Sequence, residues 1–471
     1  MRLFTSVAIL VLLQACKHPL IIVGEGDIVD LNGSVHGCTL VQFQAGDTAC
    51  TENTATGDYF VNYQAVPKPG WRFVRWEGPC GHLSVAPACR IESPSAWVAY
   101  WDLEFSDTDI PATIAVFEPE DYPDFSLADA FLEDFVAQQD FFQGAAMVIV
   151  DKNLGNIHRA FFGNQNEDWS VLLASTSKVP TVMLLMALHE DDDNINFDIT
   201  QPIANYLPWQ GVWDENITTE HLVSNRSGIP GLLNVFIRPE DYLPHLCQFL
   251  PTGTLLECAE QIYTTPLPAL EATPANTALD YGGSQWQLAG GVAETVGGAS
   301  WNQLWDQYIG GPCELEVFHY GNNLNPFPTN WDGSPDSLVG LDNPNMEGGA
   351  MTTLSDYAKL ISLHLNDGLC GENRVLSQEA VEFMRIERTE GSVGGRGYAM
   401  GWWTVVTEAG VPITLFVDPG FYGSVSWLDI ERGYGGVVFL EEYSGVFGSV
   451  GSGAILAQLI PMIEDAIDAS R

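Results

Sequence analysis

Ser175 and Lys178 have the residue types and the spacing of a nucleophile and its base. Residues three apart on a helix share one face, so the hydroxyl and the amine can touch. A serine hydroxyl needs a base within hydrogen-bonding reach, and a lysine can be that base when burial or nearby positive charge lowers its pKa. The pair therefore predicts nucleophilic catalysis. A surface lysine behind a serine helix cap is the alternative interpretation.

The elements that must position this pair are a buried helix and a sheet. The apolar run from Val179 to Leu188 predicts the helix, and Pro180 predicts a distortion in its first turns. The helix start directs free N–H groups toward the place where an oxyanion would form. Strands are predicted over 145–150, 158–162, 398–406, 424–429 and 436–440, and a C-terminal helix over 454–469. They indicate one sheet assembled from both ends of a domain, with a helical region inserted.

The composition limits the possible partners. The 471 residues suffice for two domains. Lys and Arg number 18 against 61 Asp and Glu, a net charge of -43, which argues against nucleic acid and anionic lipid surfaces as partners. The sequence has no Cys-x-x-Cys and no His-Glu-x-x-His motif. We therefore expect no metal, and serine chemistry needs no organic cofactor.

Residues 1–16 have the features of an export signal. Arg2 precedes an apolar run over 3–13, and the ending Leu13-Gln14-Ala15-Cys16 resembles a bacterial lipoprotein box with Cys16 as the lipidated residue. A plain secretory signal cleaved nearby is the alternative. We expect a protein of the cell envelope that faces the periplasm or the exterior. Its only attachment to the membrane would be the lipid at Cys16.

The other cysteines are even in number, as expected of disulfides formed in an oxidising compartment. They form three close pairs in the sequence with two left over: Cys38 with Cys50, Cys80 with Cys89, Cys247 with Cys258, and then Cys313 and Cys370. Local disulfides within the close pairs are the first expectation.

Residues 17–106 predict a small all-β domain that contains disulfides. Its predicted strands cover 20–23, 39–43, 59–66, 71–76 and 96–101, separated by turn residues. The segment Val66–Cys80 resembles the β-repeat modules of bacterial surface proteins. A spacer or binding module is one interpretation, and a stabilising appendage is the other. The acidic, proline-containing residues 107–124 are interpreted as a linker.

Several stretches of the remaining chain form an ordered set. They are Ala174–Lys178, Ile217–Pro230, Asp280–Gly290, Gly348–Tyr357 and Tyr398–Trp402. This set resembles the serine β-lactamase-like superfamily, in its branch of class C β-lactamases, DD-peptidases and esterases. The resemblance defines a domain over 125–471. It implies an α/β (α+β) β-lactamase/transpeptidase-like fold, with an antiparallel sheet flanked by helices and an added helical region.

The resemblance also implies roles for individual residues. Ser175 would be the acylated nucleophile and Lys178 its base. Tyr281 matches the tyrosine of the family's Tyr-x-Asn motif and would share the proton with the lysine, although a core tyrosine before a helix is the alternative. The backbone N–H groups of Ser175 and Phe421 would form the oxyanion hole.

Two substrate-binding positions depart from the family's pattern. Gly283 stands where the motif has an asparagine, which orients the lysine and binds the substrate's amide. Asp418-Pro419-Gly420 stands where the family has Lys-Thr-Gly or His-x-Gly. Gly420 keeps the close backbone approach, but Asp418 replaces a cation and should repel a desolvated substrate carboxylate. A simple turn residue is the alternative for Asp418.

These observations predict a serine hydrolase that forms an acyl-enzyme with an ester or amide substrate. The substrate is a small molecule or a peptide or ester, and the selectivity is esterase-like or aminopeptidase-like. A β-lactamase or DD-carboxypeptidase is one alternative. A catalytically inactive binding protein on the same fold is another.

Overall fold

The structure is a computed structural model. It describes residues 17–33, 35–54, 58–83, 86–94, 112–119, 122–138, 142, 144–323, 331–389, 396–405, 414–441 and 448–470. The chain divides into two compact units, Met1–Asp124 with Ala466–Arg471, and Phe125–Asp465. The predicted export signal with Cys16 and the predicted strand over 96–101 lie outside the described residues.

The first unit contains two three-stranded sheets. The strands of one sheet, in spatial order, are Leu20–Val23, Thr113–Pro119 and Trp71–Glu77, the first pair parallel and the second antiparallel. The strands of the other sheet, all antiparallel, are Gly26–Asp30, Tyr59–Pro67 and Ala88–Ser93. Short helices cover Leu40–Gln44 and Thr48–Thr51, and a 3-10 helix covers Gly78–Leu83. Alternating side chains of Tyr59–Pro67 fill the core, as expected for a strand with one buried face.

The first unit differs from the sequence prediction at two places. The segment predicted as a strand over 39–43 is the helix Leu40–Gln44, because Thr39 and Gln42 form a capping box at its start. The predicted linker 107–124 contains the strand Thr113–Pro119. Its alternating β-branched and apolar residues place Ala115 and Phe117 in the core, a signal that the acidic neighbours obscured.

All eight described cysteines are joined in disulfides. The pairs are Cys38–Cys50, Cys80–Cys89, Cys247–Cys258 and Cys313–Cys370. The first three close loops of 12, 9 and 11 residues, and the fourth closes a loop of 57 residues. Two disulfides therefore lie in each unit.

The second unit is built on a seven-stranded antiparallel sheet, called here the main sheet. Its strands, in spatial order, are Arg396–Tyr398, Trp403–Val405, Leu415–Pro419, Val425–Asp429, Tyr434–Leu440, Gly144–Asp151 and Gly155–Gly163. The pairing of Tyr434–Leu440 with Gly144–Asp151 joins strands from the two ends of the unit. Both strands are fully buried, which explains their continuous apolar sequence.

Helices and short elements surround the main sheet or form the inserted region. The α-helices cover Ser126–Ala137, Lys178–Glu190, Thr219–Val223, Leu233–Ile237, Pro239–Tyr242, Leu255–Thr264, Ser284–Gly297, Trp301–Trp305, Leu354–Leu365, Gln378–Arg385 and Gly448–Ser470. The 3-10 helices cover Ala174–Ser177, Ile203–Asn205, Leu243–Phe249 and Pro335–Ser337, and a π-helical turn covers Asp306–Gly310. A small sheet contains Phe318–Tyr320, Ala350–Thr352 and Val171–Leu172, and a hairpin contains Leu369–Cys370 and Asn373–Arg374.

The helix Lys178–Glu190, called here the serine helix, lies in the centre of the core. Every residue from Lys178 to Leu188 is buried, in agreement with a sequence that is apolar on all faces. Pro180 is tolerated because it lies in the first turn, where its missing N–H has no intrahelical partner to lose. The predicted irregularity lies one step earlier, in the 3-10 turn Ala174–Ser177.

The described part of the chain offers neither a membrane-spanning helix nor a metal-binding cluster. No helix there combines the length and the apolar character needed to cross a membrane. The same residues contain no group of three or more His, Cys, Asp and Glu side chains placed to hold a metal ion.

Candidate active site

The turn Ala174–Ser177, called here the serine loop, carries the predicted nucleophile. Ala174 has a φ of 47°, a left-handed conformation that is strained for a residue with a side chain. Ala174, Thr176 and Ser177 are buried, whereas Ser175 is partly exposed. The loop therefore presents one hydroxyl to solvent and buries its neighbours.

Hydrogen bonds attach the serine loop to the main sheet. The Thr176 hydroxyl donates to the Asp418 carbonyl at 3.1 Å and lies 2.7 Å from the Ser424 hydroxyl. Ser424 Oγ in turn donates to the Leu173 carbonyl at 2.7 Å. A Cβ at Gly420 would collide with the Leu173 carbonyl oxygen and with Ser424 Oγ, so only glycine permits this approach. The Leu173 carbonyl before Ser175 and the Thr176 hydroxyl after it thus fix the position of Ser175.

Lys178 is fully buried at the base of this loop. Its Nζ donates to Ser175 Oγ at 3.1 Å and to the Glu347 carbonyl at 2.9 Å. It also lies 3.5 Å from Glu347 Oε2 and 4.7 Å from the centre of the Tyr281 ring. The spacing of three residues seen in the sequence therefore brings hydroxyl and amine into contact.

The charges around Lys178 favour its ammonium form. Burial by itself would lower the pKa of Lys178, but the interactions with Tyr281, Glu347 and Asp418 outweigh burial and raise the pKa above its ordinary value. At neutral pH the lysine is therefore protonated. An ammonium cannot accept the Ser175 proton. Either Lys178 first loses its own proton, or a neighbouring group accepts the proton of the serine.

Tyr281 lies in the segment Asp280–Gly283, called here the tyrosine loop. The Tyr281 carbonyl accepts from the Leu232 N–H at 2.8 Å, and Asn225 Oδ1 accepts from the Gly282 N–H at 2.8 Å. The ring of Trp403 lies 5.2 Å from the Tyr281 ring. Backbone and aromatic contacts thus hold the phenol in the site.

The Tyr281 side chain interacts with both Lys178 and Ser175. The ammonium nitrogen of Lys178 lies 4.7 Å from the centre of the Tyr281 ring. Burial raises the pKa of Tyr281, with the Lys178 ammonium opposing this shift and the carboxylates of Asp418 and Glu347 adding to it. Ser175, Lys178 and Tyr281 therefore form one cluster of interacting groups in which a proton can be shared.

The position of the missing asparagine has no room for a side chain. Gly283 has a φ of 83°, and a Cβ there would lie 2.7 Å from the Tyr242 hydroxyl oxygen. The Gly283 N–H donates to Glu347 Oε2 at 2.8 Å. Gly283 is thus engaged with Glu347, and its predicted role in binding substrate is not supported by this geometry.

The Asp418 side chain is buried in the core near Lys178 and is not exposed at the surface of the site. This corrects the prediction that Asp418 contacts substrate. It belongs to the strand Leu415–Pro419, where alternation points its side chain into the core, and it is fully buried. Burial raises the pKa of Asp418 well above its ordinary range, with Lys178 opposing the shift. The residue affects the site through Lys178. The direct repulsion of a substrate carboxylate predicted from the sequence requires an exposed aspartate and is not available here.

Gly420 and Phe421 form the turn after this strand. The Gly420 N–H donates to the Ser424 carbonyl at 2.7 Å, and the Gly423 N–H donates to the Gly420 carbonyl at 3.1 Å. Phe421 is partly exposed in this turn. The turn lies against the serine loop, as the predicted oxyanion hole of Ser175 and Phe421 requires.

Three residues that the sequence analysis did not single out complete the site. Glu347 contacts Lys178 and Gly283, Asn225 holds the tyrosine loop, and Tyr242 accepts a hydrogen bond from the Ser284 N–H at 2.8 Å. Asn225 lies within the motif stretch Ile217–Pro230, and Glu347 directly precedes the stretch Gly348–Tyr357. An acidic residue directly before Gly348-Gly349 was the available signal for Glu347.

Comparisons with known proteins agree with this geometry. The family model described as Beta-lactamase matches residues 128–456. "Penicillin-binding protein 4" of Amycolatopsis lactamdurans is 26% identical over an alignment of 336 residues, which covers 64% of this chain and 81% of that protein. The chain therefore belongs to the β-lactamase family, and it is a serine hydrolase of the β-lactamase-related class.

Two solved structures show the same fold. A putative β-lactamase from Bacteroides dorei has a TM-score of 0.56 at 21% identity, covering 72% of this chain and 99% of that one. EstCE1, a hydrolase with promiscuous acyltransferase activity, has a TM-score of 0.56 at 14% identity, covering 73% and 98%. The predicted β-lactamase/transpeptidase-like fold and the predicted enzyme class are confirmed.

Proposed function

We propose that this protein hydrolyses esters or amides through an acyl-enzyme on Ser175. The observation that carries the proposal is the cluster itself: a partly exposed Ser175 hydroxyl lies 3.1 Å from Lys178 Nζ, which lies 4.7 Å from the centre of the Tyr281 ring. A nucleophile and a base held in contact by a buried scaffold are the basis of serine catalysis. A catalytically inactive binding protein would not need a serine hydroxyl and a lysine amine in contact.

The reactive form is the cluster that has lost one proton. Either Tyr281 is then a phenolate beside an ammonium, or Lys178 is neutral beside a phenol; both accept the Ser175 proton. Ser175 Oγ bonds to the substrate carbonyl carbon, and the backbone N–H groups of Ser175 and Phe421 stabilise the resulting oxyanion. The shared proton passes to the leaving alcohol or amine. Water then attacks the acyl-enzyme by the reverse path and releases the acid.

The charges of the site favour substrates without a carboxylate near the scissile bond. The residue at position 418 is an aspartate, so this strand offers no cation for such a group, and Glu347 adds a buried carboxylate 3.5 Å from Lys178 Nζ. A substrate carboxylate would therefore find no counter-ion on this strand, and burying it there would be costly. Neutral esters and substrates with an amine fit the site better.

Intact-mass spectrometry tests the acyl-enzyme directly. We expect a fluorophosphonate to add one adduct to the native protein and none to Ser175→Ala. An unmodified native protein would favour the inactive binding protein. Incubation with p-nitrophenyl acetate should release p-nitrophenol in an initial burst whose amplitude approaches one per chain, if deacylation is the slower step.

A penicillin-recognising enzyme is the second candidate. It is favoured by the curated relative, whose name is that of a penicillin-binding protein. The same mass experiment with benzylpenicillin separates the two: the first proposal predicts no adduct. A stable adduct that Ser175→Ala abolishes would identify a penicillin-binding site and reject the charge argument.

We also propose that the mature protein is anchored in the cell envelope through lipid on Cys16. The proposal is supported by the sequence Leu13-Gln14-Ala15-Cys16 after an apolar run. In cells fed radioactive palmitate, the native protein should be labelled and Cys16→Ser should not. Equal labelling of both would reject the anchor, and a mature protein cleaved without lipid would indicate a plain secretory signal.

A further inference from the structure

Glu347 is a buried carboxylate that the proposed reaction has not used. It is 5% exposed, and its Oε2 lies 3.5 Å from Lys178 Nζ while accepting the Gly283 N–H at 2.8 Å. Its backbone carbonyl accepts from the same Nζ at 2.9 Å. One residue therefore contacts the catalytic lysine twice and the tyrosine loop once.

The tyrosine loop depends on this contact, because after Tyr281 its residues Gly282 and Gly283 have no side chains to hold the lysine. Gly282 and Gly283 both have positive φ angles, 72° and 83°. A Cβ at Gly282 would lie 2.5 Å from Glu347 Oε2, and a Cβ at Gly283 would lie 2.7 Å from Tyr242 Oη. The space beside Lys178 that a loop side chain would otherwise fill is thus occupied by Glu347 and Tyr242.

The second oxygen of this carboxylate suggests more than a structural role. Glu347 Oε1 is buried and has no hydrogen-bond partner among the described residues. An unsatisfied buried oxygen next to a nucleophile is costly and calls for an explanation. A charge held beside Lys178 for catalysis supplies one.

We propose that Glu347 is a positioning residue of this active site. Its carboxylate holds the ammonium of Lys178 against Ser175 and fixes the backbone of Gly283, so that Tyr281 meets both. The inference rests on the proposed function, since it names the residue that organises the same site.

The proposal predicts an effect on the proton shared by the cluster. The groups that face Lys178 are Tyr281 from the tyrosine loop, Asp418 from the main sheet and Glu347. Glu347 raises the pKa of Lys178 and of Tyr281 alike. Removing its charge therefore lowers the pH at which the cluster loses its proton, whichever of the two groups gives it up.

Two variants separate charge from position. In Glu347→Gln the amide keeps the shape, and we expect the rising limb of kcat/KM against pH, with p-nitrophenyl acetate, to move down by roughly one pH unit or more. In Glu347→Ala the contacts are lost, and we expect kcat at the top of the profile to fall at least about tenfold with KM within about threefold. Thermal melting verifies that each variant is folded, and if the alanine variant is not, the glutamine variant decides.

A matched control and a readout without turnover complete the test. Glu294→Gln removes another buried carboxylate, one that accepts from the Trp301 N–H at 2.7 Å, and it should leave the profile unchanged. The chain has five lysines, so 13C-lysine NMR can follow Lys178, assigned by its loss in Lys178→Arg. Its titration midpoint should fall in Glu347→Gln and stay in Glu294→Gln.

The outcomes distinguish this inference from the proposed function. A lowered Lys178 midpoint in Glu347→Gln supports the role of Glu347 even if no substrate acylates the protein. An unchanged midpoint overturns it, even if Ser175 is acylated normally. Unchanged kcat in a folded Glu347→Ala overturns the positioning role as well.

Discussion

At the scale of residues, the site is a single buried cation surrounded by acidic groups. Lys178 has no exposed surface and faces Tyr281, Glu347 and Asp418. Burial of a charge is tolerated only when partners compensate it, and here the compensation exceeds the cost of burial. The lysine is consequently an ammonium at rest. In the proposed mechanism its first contribution is electrostatic, since an ammonium there would stabilise negative charge on Ser175 and Tyr281.

This charge balance predicts a rate that increases with pH. The pKa values of Lys178 and Tyr281 are both raised, and the reactive cluster has one proton fewer than the resting one. Below the pKa of the cluster, the reactive fraction grows about tenfold per pH unit. We expect kcat/KM for p-nitrophenyl acetate, corrected for buffer hydrolysis, to rise with that slope between pH 6 and 9.

Tyr281→Phe is the control for this profile, since it removes the hydroxyl that shares the proton in the proposed mechanism. It should lower kcat/KM by two orders of magnitude or more. A native profile that is flat or that declines above pH 7 would show that the cluster is already deprotonated at neutral pH, contrary to the charge balance described here.

At the scale of elements, the nucleophile is placed by the contact between the serine loop and the strand Leu415–Pro419. Thr176 and Ser424 bridge the two elements, and Gly420 permits their approach. The left-handed Ala174 shows that the loop is held against its conformational preference. Tertiary contacts, and not the helix that follows, therefore determine where Ser175 points.

Gly420→Ala tests this contact. Its Cβ would overlap the Leu173 carbonyl and Ser424 Oγ, so the strand must move away from the serine loop. We expect a loss of about 1–3 kcal/mol in the free energy of unfolding and a fluorophosphonate acylation rate at least about tenfold lower. Gly453→Ala is the matched control, because nothing lies within 4 Å of a Cβ there. Equal acylation rates in both variants would show that the approach is not needed.

The disulfides of the second unit make a further prediction at this scale. Cys313–Cys370 closes a loop of 57 residues and Cys247–Cys258 a loop of 11. Loop entropy predicts stabilisation of about 4 kcal/mol for the longer and about 3 kcal/mol for the shorter. Calorimetry of the two double-serine variants should therefore show the lower Tm for Cys313→Ser/Cys370→Ser. The reverse order would mean that native-state contacts outweigh the entropy of the unfolded chain.

At the scale of the whole molecule, the dominant property is a net charge of -43. Like charges at this density repel one another in the folded state, and the repulsion is screened within about 10 Å at 0.1 M salt. The described ion pairs outside the active site are mostly at least partly exposed, so they compensate little of this repulsion.

We therefore expect salt to stabilise the fold. The Tm should rise by a few degrees between about 0.02 M and 1 M NaCl, since screening weakens repulsion in the compact state more than in the expanded one. KCl at equal ionic strength should have the same effect, which distinguishes screening from specific ion binding. A Tm that falls with salt would show that attractive ion pairs dominate.

Local spacing and order along the chain were sufficient for much of this protein. The three-residue interval between Ser175 and Lys178, the ordered motifs and the apolar strands near both ends of the second unit are properties of the sequence itself. They predicted the family, the antiparallel sheet and the enzyme class. The helix and strand periods convert such patterns into faces and neighbours without knowledge of the rest of the chain.

Only the tertiary structure decided the contacts between distant segments. Glu347 meets Lys178 across 169 residues, and nothing periodic in the sequence indicates this meeting. Asp418 is buried because its strand presents that face to the core, which turned a predicted substrate contact into an internal acidic group. The strand Thr113–Pro119 likewise needed its partners to be recognised within an acidic segment. The burial of a side chain and the pairing of a strand depend on which distant segments pack against them, and this packing exists only in the folded chain.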